Sequence, residues 1–428
     1  MHWQIGVLLF GSFVLLLACD FPIALALGLS SLAAILVFGL VPLEFFPQMI
    51  FGTCDSFTLL AIPFFVFAGI VLGHTSISRR LVDLADSVVG NIPGGLGIVG
   101  VVTAVFFAGI SGSGPADVAA LGLVLIPAML RAGYGPGFSA ALCAVSGGIG
   151  IIVPPSIALI IYGFVAEVSI PKLFIAGIVP GIVVACSLAV ATYLISRRMG
   201  YGAAGKSRER MRFVVAFKRA IWGLLAPVII LGGIYGGVFT PTEAAAVAVV
   251  YSVAVDMFIY RSMSGSDLLR AAGEAGITSA VIMSIVATAS LFAWILNTQG
   301  FAAHTASLIL SLTANPVALL VLINLILLIA GLFLDAISIF YIFMPVFLPI
   351  IRAIGIDPVH FGVIVTVNLA IGQVTPPVGV NLIAASGISG ETVGRIARSA
   401  VPLIAAEGIA LVIITVFPEL SLFLPSLF

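Results

Sequence analysis

Two stretches of the sequence, ISGSGPAD (110–117) and IIVPPSIAL (151–159), decide how this chain folds. The first places an aspartate among glycine, serine and proline, between two apolar runs. The second places two consecutive prolines inside an apolar run. Proline removes a backbone donor and clashes with the preceding helical turn, so two prolines together open a helix. We predict a helical hairpin over 93–130, with the first stretch at its tip, and then a helix over 136–166 that is broken at the prolines.

The second half of the chain repeats this arrangement. GLFLDAIS (331–338) and QVTPPVGVN (373–381) predict a second hairpin over 316–352 and a second broken helix over 358–388. The halves match at one constant offset, the separation between Gly109 and Gly331. Matches at glycine and proline carry the most information, because apolar identities are frequent in so apolar a chain. These matches are Gly109 with Gly331, Pro127 with Pro349, Gly133 with Gly355, Pro136 with Pro358, and Pro154-Pro155 with Pro376-Pro377.

Composition places most of the molecular surface against lipid. Of the 428 residues, 62% are hydrophobic and 8% are charged, whereas a water-soluble domain carries about a quarter charged residues. The formal net charge of zero gives no indication of nucleic-acid binding. The four cysteines form no CxxC pair and the four histidines are isolated from one another, so we expect no zinc or haem site. The N-terminus lacks the basic region of a secretory signal, and we interpret it as a retained first span.

The repeat defines the fold class that we expect. An odd number of predicted spans separates equivalent positions, so the two repeats have opposite orientations, which is the plan of many secondary transporters. We predict an all-α polytopic membrane protein with two inverted-topology repeats, each with a re-entrant helical hairpin and a helix broken at a proline pair. Residues 1–196 form the first repeat, 197–219 a basic loop and 220–428 the second repeat.

The basic loop sets the orientation in the membrane. Residues 197–219 hold eight lysines and arginines against one acid, Glu209, which predicts a cytoplasmic location for this loop. Seven further arginines reach the same side if both hairpins are re-entrant, but complete crossings also satisfy the charge rule; they are Arg79, Arg80, Arg131, Arg261, Arg270, Arg395 and Arg398. The polar tips favour re-entrant hairpins, because non-helical backbone at membrane depth is tolerated where protein or an aqueous cavity covers it.

The breaks and tips predict two cation sites. Carbonyl groups freed at a helix break, together with nearby hydroxyls, are hard oxygen ligands suited to sodium, and the N-terminus of the next half-helix favours an anion. Candidate ligands of the first sodium ion are Ser111, Gly112, Ser113, Asp117, Gly148 and Pro154. Those of the second are Gly331, Asp335, Ser338, Gly372, Thr375 and Pro376. Candidate contacts for substrate oxygens are Ser156, Asn368, Asn381 and Thr375. Thr375 is thus a candidate for both the substrate and the second sodium ion.

Each candidate also has a purely structural interpretation. A proline pair can be a packing kink, and Asp117 and Asp335 can be N-caps of the returning hairpin arms. The two aspartates do not share a repeat position, because Asp335 falls on Ser113. Ser111 and Ser113 can simply satisfy local backbone groups, and either aspartate could carry a proton instead of binding sodium. Glu407, inside the last span, faces either a cavity or a partner.

At these motifs the chain resembles the large membrane subunit of tripartite ATP-independent periplasmic (TRAP) transporters. The resemblance covers nearly the whole chain. The matching elements, in the family's order, are GISGSGPADVAALG (109–122), IIVPPSIALIIYG (151–163), LFIAGIVPG (173–181), FTPTEAAA (239–246), GLFLDAISI (331–339) and IGQVTPPVGVNL (371–382).

The resemblance implies partners and a mode of action. It implies a separate small membrane subunit of about four spans and a soluble periplasmic protein that captures the substrate. It also implies sodium-coupled uptake of carboxylates such as C4-dicarboxylates or sialic acid, without ATP hydrolysis. The fold that the resemblance implies is an elevator-type transporter fold in a bacterial inner membrane, in which the hairpins and broken helices form the mobile domain and the outer helices form the scaffold.

Four other classes of function remain as alternatives. GISG (109–112) superficially fits an intramembrane serine protease, but that chemistry needs a histidine base within hydrogen-bond reach, and none is expected at membrane depth. The two aspartates lack the local motif of an aspartyl protease, so we expect no enzyme. A permease powered by a separate ATPase would need a cytoplasmic coupling helix, which is not evident, and the internal repeat in a monomer-sized chain disfavours a channel. A standalone sodium/divalent-anion symporter of the same fold is the nearest alternative, and dependence on a binding protein would separate the two.

Overall fold

The computed structural model describes residues 2–73, 77–89, 92–201, 211–313 and 315–427, which form α-helices joined by short turns. In the first half these are α1 (His2–Ala18), α2 (Ile23–Phe38), α3 (Phe45–Cys54), α4 (Ala61–Gly73), α5 (Ile77–Val89), α6 (Gly95–Ser111), α7 (Gly114–Arg131), α8 (Pro136–Gly147), α9 (Ile157–Ala166) and α10 (Ile170–Met199). In the second half they are α11 (Phe213–Tyr235), α12 (Pro241–Ala254), α13 (Gly265–Thr298), α14 (Phe301–Leu312), α15 (Pro316–Gly331), α16 (Ala336–Ala353), α17 (Pro358–Gly372), α18 (Val380–Ser389), α19 (Val393–Val416) and α20 (Glu419–Leu422).

The prediction of an all-α polytopic membrane protein is confirmed. Within the described ranges no residue is in a strand. Seven of the helices in these ranges are long and apolar enough to cross a membrane, namely α7, α10, α11, α12 with the π-helical turn that follows it, α13, α16 and α19. Of the basic segment 197–219, residues 202–210 lie outside the described residues, so its cytoplasmic location stays a prediction.

Helix boundaries near the breaks follow from local sequence chemistry. α8, α15 and α17 each begin with a proline at the first helical position, where the missing N–H costs nothing. α8 tightens into a 3-10 turn over Gly148–Ile151 before it ends. The Ser156 side chain accepts a hydrogen bond from the Leu159 N–H and so caps α9.

The helices pack as two groups. In the first, which we name the scaffold group, α1–α5 and α11–α14 contact one another, with α13 against α2, α3 and α4. In the second, the hairpin group, α6–α10 and α15–α19 interdigitate. There α18 of the second half lies against α7 and α8 of the first, and α9 lies against α16. The groups meet where α4 and α5 contact α6 and α7, and where α13 and α14 contact α16.

Helix boundaries recur in the two halves. The offset that relates the two sequence halves also carries the first and last residues of α7 onto those of α16, and the first residue of α8 onto that of α17. α6 with α7 and α15 with α16 are helical hairpins, and α8 with α9 and α17 with α18 are the two halves of broken helices. The opposite orientation of the two halves, and the re-entrant character of the hairpins, stay predictions.

Candidate ion and substrate site

The first hairpin tip lies directly on the first helix break. α6 ends at Ser111, and Gly112 is its C-cap, with φ +63° and its N–H donated to the Ala108 carbonyl. The Gly112 carbonyl in turn accepts a hydrogen bond from the Ile157 N–H at 3.2 Å, at the start of α9. A methyl carbon added at Gly112 would lie 2.7 Å from the Pro155 carbonyl oxygen. Glycine is therefore required here twice, for its positive φ and for this close approach.

Asp117 is the charged group of this first site. It is fully buried in the first turn of α7. Its Oδ1 accepts a hydrogen bond from the Ser111 hydroxyl, which also accepts the Ser113 N–H at 3.3 Å. Its Oδ2 has no hydrogen-bond partner among the described residues. Since Ser113 is the N-cap of α7, the N-cap interpretation of Asp117 does not describe its position.

The unpartnered oxygen points at the broken helix. A methyl carbon added at Gly150, in the 3-10 turn, would collide with Asp117 Oδ2. The Pro154 carbonyl oxygen lies near Gly109, 3.8 Å from where such a carbon would sit there. The structure thus brings four of the six predicted first-site residues together, namely Ser111, Gly112, Ser113 and Asp117, whereas the Pro154 carbonyl oxygen lies nearest Gly109. The donor set of one carboxylate oxygen, hydroxyls and carbonyls fits a sodium ion.

Gly148, the sixth residue, faces elsewhere. A methyl carbon added at Gly148 would contact Ala370 on α17 and Glu407 on α19. A methyl carbon added at Gly150 is the one that would meet the Asp117 carboxylate. Sequence reasoning missed Gly150. The register of the repeat could have found it, because Gly150 is the repeat equivalent of Gly372, which was selected for the second site.

The second tip and break are built differently. Asp335 is the N-cap of α16: its Oδ2 accepts the Ile337 N–H at 3.0 Å and its Oδ1 accepts the Ser338 hydroxyl at 2.5 Å. The capping interpretation therefore describes Asp335. The N-cap position also explains why the repeat aligns Asp335 with Ser113, because these two residues are the N-caps of α16 and α7.

The second tip also approaches its break through glycines and backbone. A methyl carbon added at Gly372 would lie 2.9 Å from the Gly331 α-carbon, and the Val378 N–H donates to the Leu332 carbonyl at 3.2 Å. The Thr375 hydroxyl donates to the Ile371 carbonyl at 2.6 Å. The peptide bonds Pro154-Pro155 and Pro376-Pro377 are both cis. Residues 154–156 are buried, whereas residues 376–378 are exposed, so the two breaks differ in accessibility.

The three substrate candidates have different surroundings. Ser156 donates to the Ile151 carbonyl at 2.5 Å and accepts the Leu159 N–H, so its hydroxyl is engaged locally. Asn368 donates to Asn324 of α15, at 2.8 Å from Nδ2 to Oδ1, in a pair that joins α17 to α15. Its role as a substrate contact stays a prediction.

Asn381 lies beside the first hairpin tip, although it belongs to the second broken helix. It is fully buried and donates from Nδ2 to the Ala144 carbonyl at 3.1 Å, while its Oδ1 has no partner among the described residues. A methyl carbon added at Gly114, the first residue of α7, would lie 3.1 Å from Asn381 Nδ2 and would collide with Gln373 Oε1. Gln373 is thus a further polar residue at this helix N-terminus, which sequence reasoning did not single out.

Comparison with known proteins identifies the family. The family model described as "Tripartite ATP-independent periplasmic transporter, DctM component" matches residues 10–420. The chain belongs to this family.

Relatives of the chain carry transporter names. The chain is similar to an isethionate TRAP transporter permease protein, DctMQ, of Oleidesulfovibrio alaskensis, with 43% identity over 97% of this chain and 65% of that protein. It therefore spans a little under two thirds of that relative's length. It is also similar to the C4-dicarboxylate TRAP transporter large permease protein DctM of Pseudomonas aeruginosa, with 42% identity over 94% of each chain. The sialic acid TRAP transporter large permease protein SiaM of Vibrio cholerae is 38% identical over 96% of each.

A solved structure supports the fold alone. The YdaH transporter of Alcanivorax borkumensis superposes with a TM-score of 0.63 at 16% identity, over 87% of this chain and 88% of that one. The likeness therefore extends over most of both chains.

Two clefts lie between parts of the scaffold group and the hairpin group. A cleft of about 660 Å³ lies between the first tip, including Ser111 and Ser113, and helices α4 and α13 of the scaffold group. A cleft of about 880 Å³, lined mainly by apolar side chains such as Phe333 and Val378, lies between the second hairpin and the α1–α2 connection. In the described part of the chain no three His, Cys, Asp or Glu side chains cluster as metal ligands, so a cation would depend on carbonyl, hydroxyl and single carboxylate oxygens.

Proposed function

We propose that this chain is the membrane subunit of a secondary transporter that moves a small organic anion, driven by sodium, across the bacterial inner membrane. Membership of the DctM family supports the general class. The relatives' names mention isethionate, C4-dicarboxylates and sialic acid, which are small anions with a carboxylate or sulfonate group. An anion of this class, with a carboxylate substrate foremost, is the cargo that we expect here.

One observation carries the sodium proposal: the Asp117 Oδ2 oxygen, fully buried and without a partner among the described residues, faces the first helix break. A buried carboxylate oxygen costs several kcal/mol, by order of magnitude, unless a partner compensates it. A sodium ion bound to this oxygen and to the neighbouring hydroxyls and carbonyls would supply that partner. The residues of the second tip, with Asp335 as a cap, would bind a second sodium ion mainly through backbone carbonyls.

The N-terminus of α7 is the proposed position of the anionic group. α7 has 18 residues, and the positive end of its dipole lies at Gly114, where Asn381 and Gln373 converge from the second half. Sodium at Asp117 would neutralise the carboxylate that otherwise repels an anion at the same place. This proximity gives a physical reason for coupling, because each ion improves binding of the other.

We also propose that the hairpin group moves relative to the scaffold group in an elevator motion. The clefts that lie between the groups support such a displacement. The family's tripartite organisation supports two partners, a small membrane subunit of about four spans and a periplasmic protein that delivers the substrate.

Uptake into proteoliposomes tests this proposal. The vesicles would contain this chain with its small partner subunit, and labelled sialic acid, succinate and isethionate would be offered with and without the binding protein and an inward sodium gradient. Uptake of one compound that requires both sodium and the binding protein is the expected result. Uptake driven equally by a proton gradient would contradict sodium coupling, and uptake without a binding protein would favour a standalone symporter.

A further inference from the structure

Glu407 is a buried acid outside both tips. It lies in α19 with 1% of its surface exposed, and neither carboxylate oxygen has a hydrogen-bond partner among the described residues. It therefore faces the interior of this chain rather than a partner protein. An uncompensated carboxylate at membrane depth is costly and generally indicates a functional role.

The carboxylate lies where the two broken helices meet. A methyl carbon added at Gly148 would lie 3.6 Å from Glu407 Oε1, 3.5 Å from the Ala370 carbonyl oxygen and 3.4 Å from the Ala370 β-carbon. Gly148 and Ala370 occupy equivalent positions of the repeat, whereas the residue equivalent to Glu407 is Ala185. Only the second repeat therefore has an acid at this position, and that acid lies beside the point at which the two halves contact each other.

The surroundings of this carboxylate favour a cation. α8 ends in its 3-10 turn at Ile151 and α17 ends at Gly372, so both helices present their C-terminal, partially negative ends near Glu407. α8 contains no basic residue, and Arg398, the nearest basic residue on α19, is nine positions away, which is about 13 Å along a helix. A negative charge in this position is offset either by a proton or by a bound cation, and a cation would also be attracted by the two helix ends.

We propose that the Glu407 carboxylate and the Ala370 carbonyl oxygen bind a cation, sodium in the first instance, between the two broken helices. This site is additional to the two at the hairpin tips. It does not depend on Asp117, so the two can be tested separately.

Binding of ²²Na⁺ to the purified full-length chain in detergent tests the site. Glu407→Gln keeps the shape and removes the charge, and we expect it to bind one fewer sodium ion per chain than the wild type. It should also lose part of the sodium-dependent rise in thermal stability measured against choline. Glu419→Gln, the same change at an exposed position, is the matched control and should bind as the wild type does.

A second variant tests the same space without changing the charge. The added methyl group of Gly148→Ala would make ordinary contacts of 3.4–3.6 Å, so the chain should fold, but the methyl group would crowd an ion held between the two oxygens. We expect the same loss of one sodium ion. Gly408→Ala, with no atom within 4 Å of the added carbon, is its control.

Comparing the number of sodium ions bound by the wild type and by Asp117→Asn distinguishes this site from the proposed site at the first hairpin tip. Asp117→Asn should lose a different ion, so that Asp117→Asn combined with Glu407→Gln loses two. Unchanged sodium binding in both Glu407→Gln and Gly148→Ala would overturn the proposal, whatever the result at Asp117. If Glu407→Gln does not fold, unchanged binding in Gly148→Ala alone would overturn it.

Discussion

A disulfide between the two groups of helices should stop transport if the hairpin group moves past the scaffold group. Gly73 ends α4 in the scaffold group, and Ala120 lies on α7 in the hairpin group. A β-carbon added at Gly73 would lie 3.5 Å from the Ala120 β-carbon, within the range of about 3.5–4.5 Å that a disulfide requires. Gly73→Cys combined with Ala120→Cys should therefore form a disulfide readily.

The size of the effect follows from this geometry. A disulfide tolerates a change of about 1 Å between β-carbons, whereas sliding α7 by a single helical turn along α4 displaces it by about 5.4 Å. Uptake should fall in proportion to the cross-linked fraction and return on reduction. Both quantities can be measured on one proteoliposome preparation, after the four native cysteines have been replaced by alanine.

A matched pair within one group provides the control. A β-carbon added at Gly28 on α2 would lie 3.8 Å from the Thr288 β-carbon on α13, and both helices belong to the scaffold group. Gly28→Cys with Thr288→Cys should cross-link equally well and leave uptake unchanged. Full uptake by the oxidised Gly73–Ala120 pair would refute relative movement of α4 and α7.

Three further substitutions test the site and its supports. Asp117→Asn should raise the half-saturating sodium concentration of uptake about tenfold or more, because an interaction with a charged group contributes about 1.5–3 kcal/mol. Gly372→Ala should lower thermal stability in detergent by about 1–3 kcal/mol through overpacking against backbone, whereas Gly273→Ala, which meets no atom within 4 Å, should be neutral or stabilising by about 0.5–1 kcal/mol. Asn368→Ala should cost about 1–3 kcal/mol of stability by removing its hydrogen bonds to Asn324.

Each of these has a contradicting result. If the sodium dependence of uptake is unchanged in Asp117→Asn, the Asp117 carboxylate does not bind the transported sodium ion. Equal stability of the two glycine variants would mean that the second tip and break are not in close contact. A sharp fall in substrate affinity with unaltered stability in Asn368→Ala would favour its predicted role as a substrate contact over its packing role.

The breaks and tips were predictable because proline and glycine act locally. A proline pair opens a helix whatever surrounds it, and the serine and glycine residues at 111–114 cannot extend an apolar helix into lipid. The structure accordingly breaks both helices at the proline pairs and turns both hairpins at the polar tips. The seven helices of the described residues that are long and apolar enough to cross a membrane also coincide with apolar runs of the sequence.

Contacts between the halves were not predictable from one sequence. Nothing in the local pattern indicates that Asn381 of the second half lies at Gly114 of the first, or that Asn368 pairs with Asn324. These contacts depend on how the groups interdigitate, and helices that are apolar on every side show little periodicity to indicate which face is buried. Helices α3, α5 and α14, of 10 to 13 residues, are likewise shorter than a spanning run requires, so the apolar runs did not indicate them.

Simultaneous measurement of sodium and substrate fluxes tests the central claim most directly. Proteoliposomes with the small subunit and the binding protein would receive ²²Na⁺ and the ¹⁴C-labelled substrate found in the uptake assay. We predict that substrate accelerates ²²Na⁺ entry in the wild type, in a fixed ratio of the two ions, and that Asp117→Asn loses this acceleration. Substrate accumulation against its gradient without any ²²Na⁺ entry would contradict sodium coupling at this site.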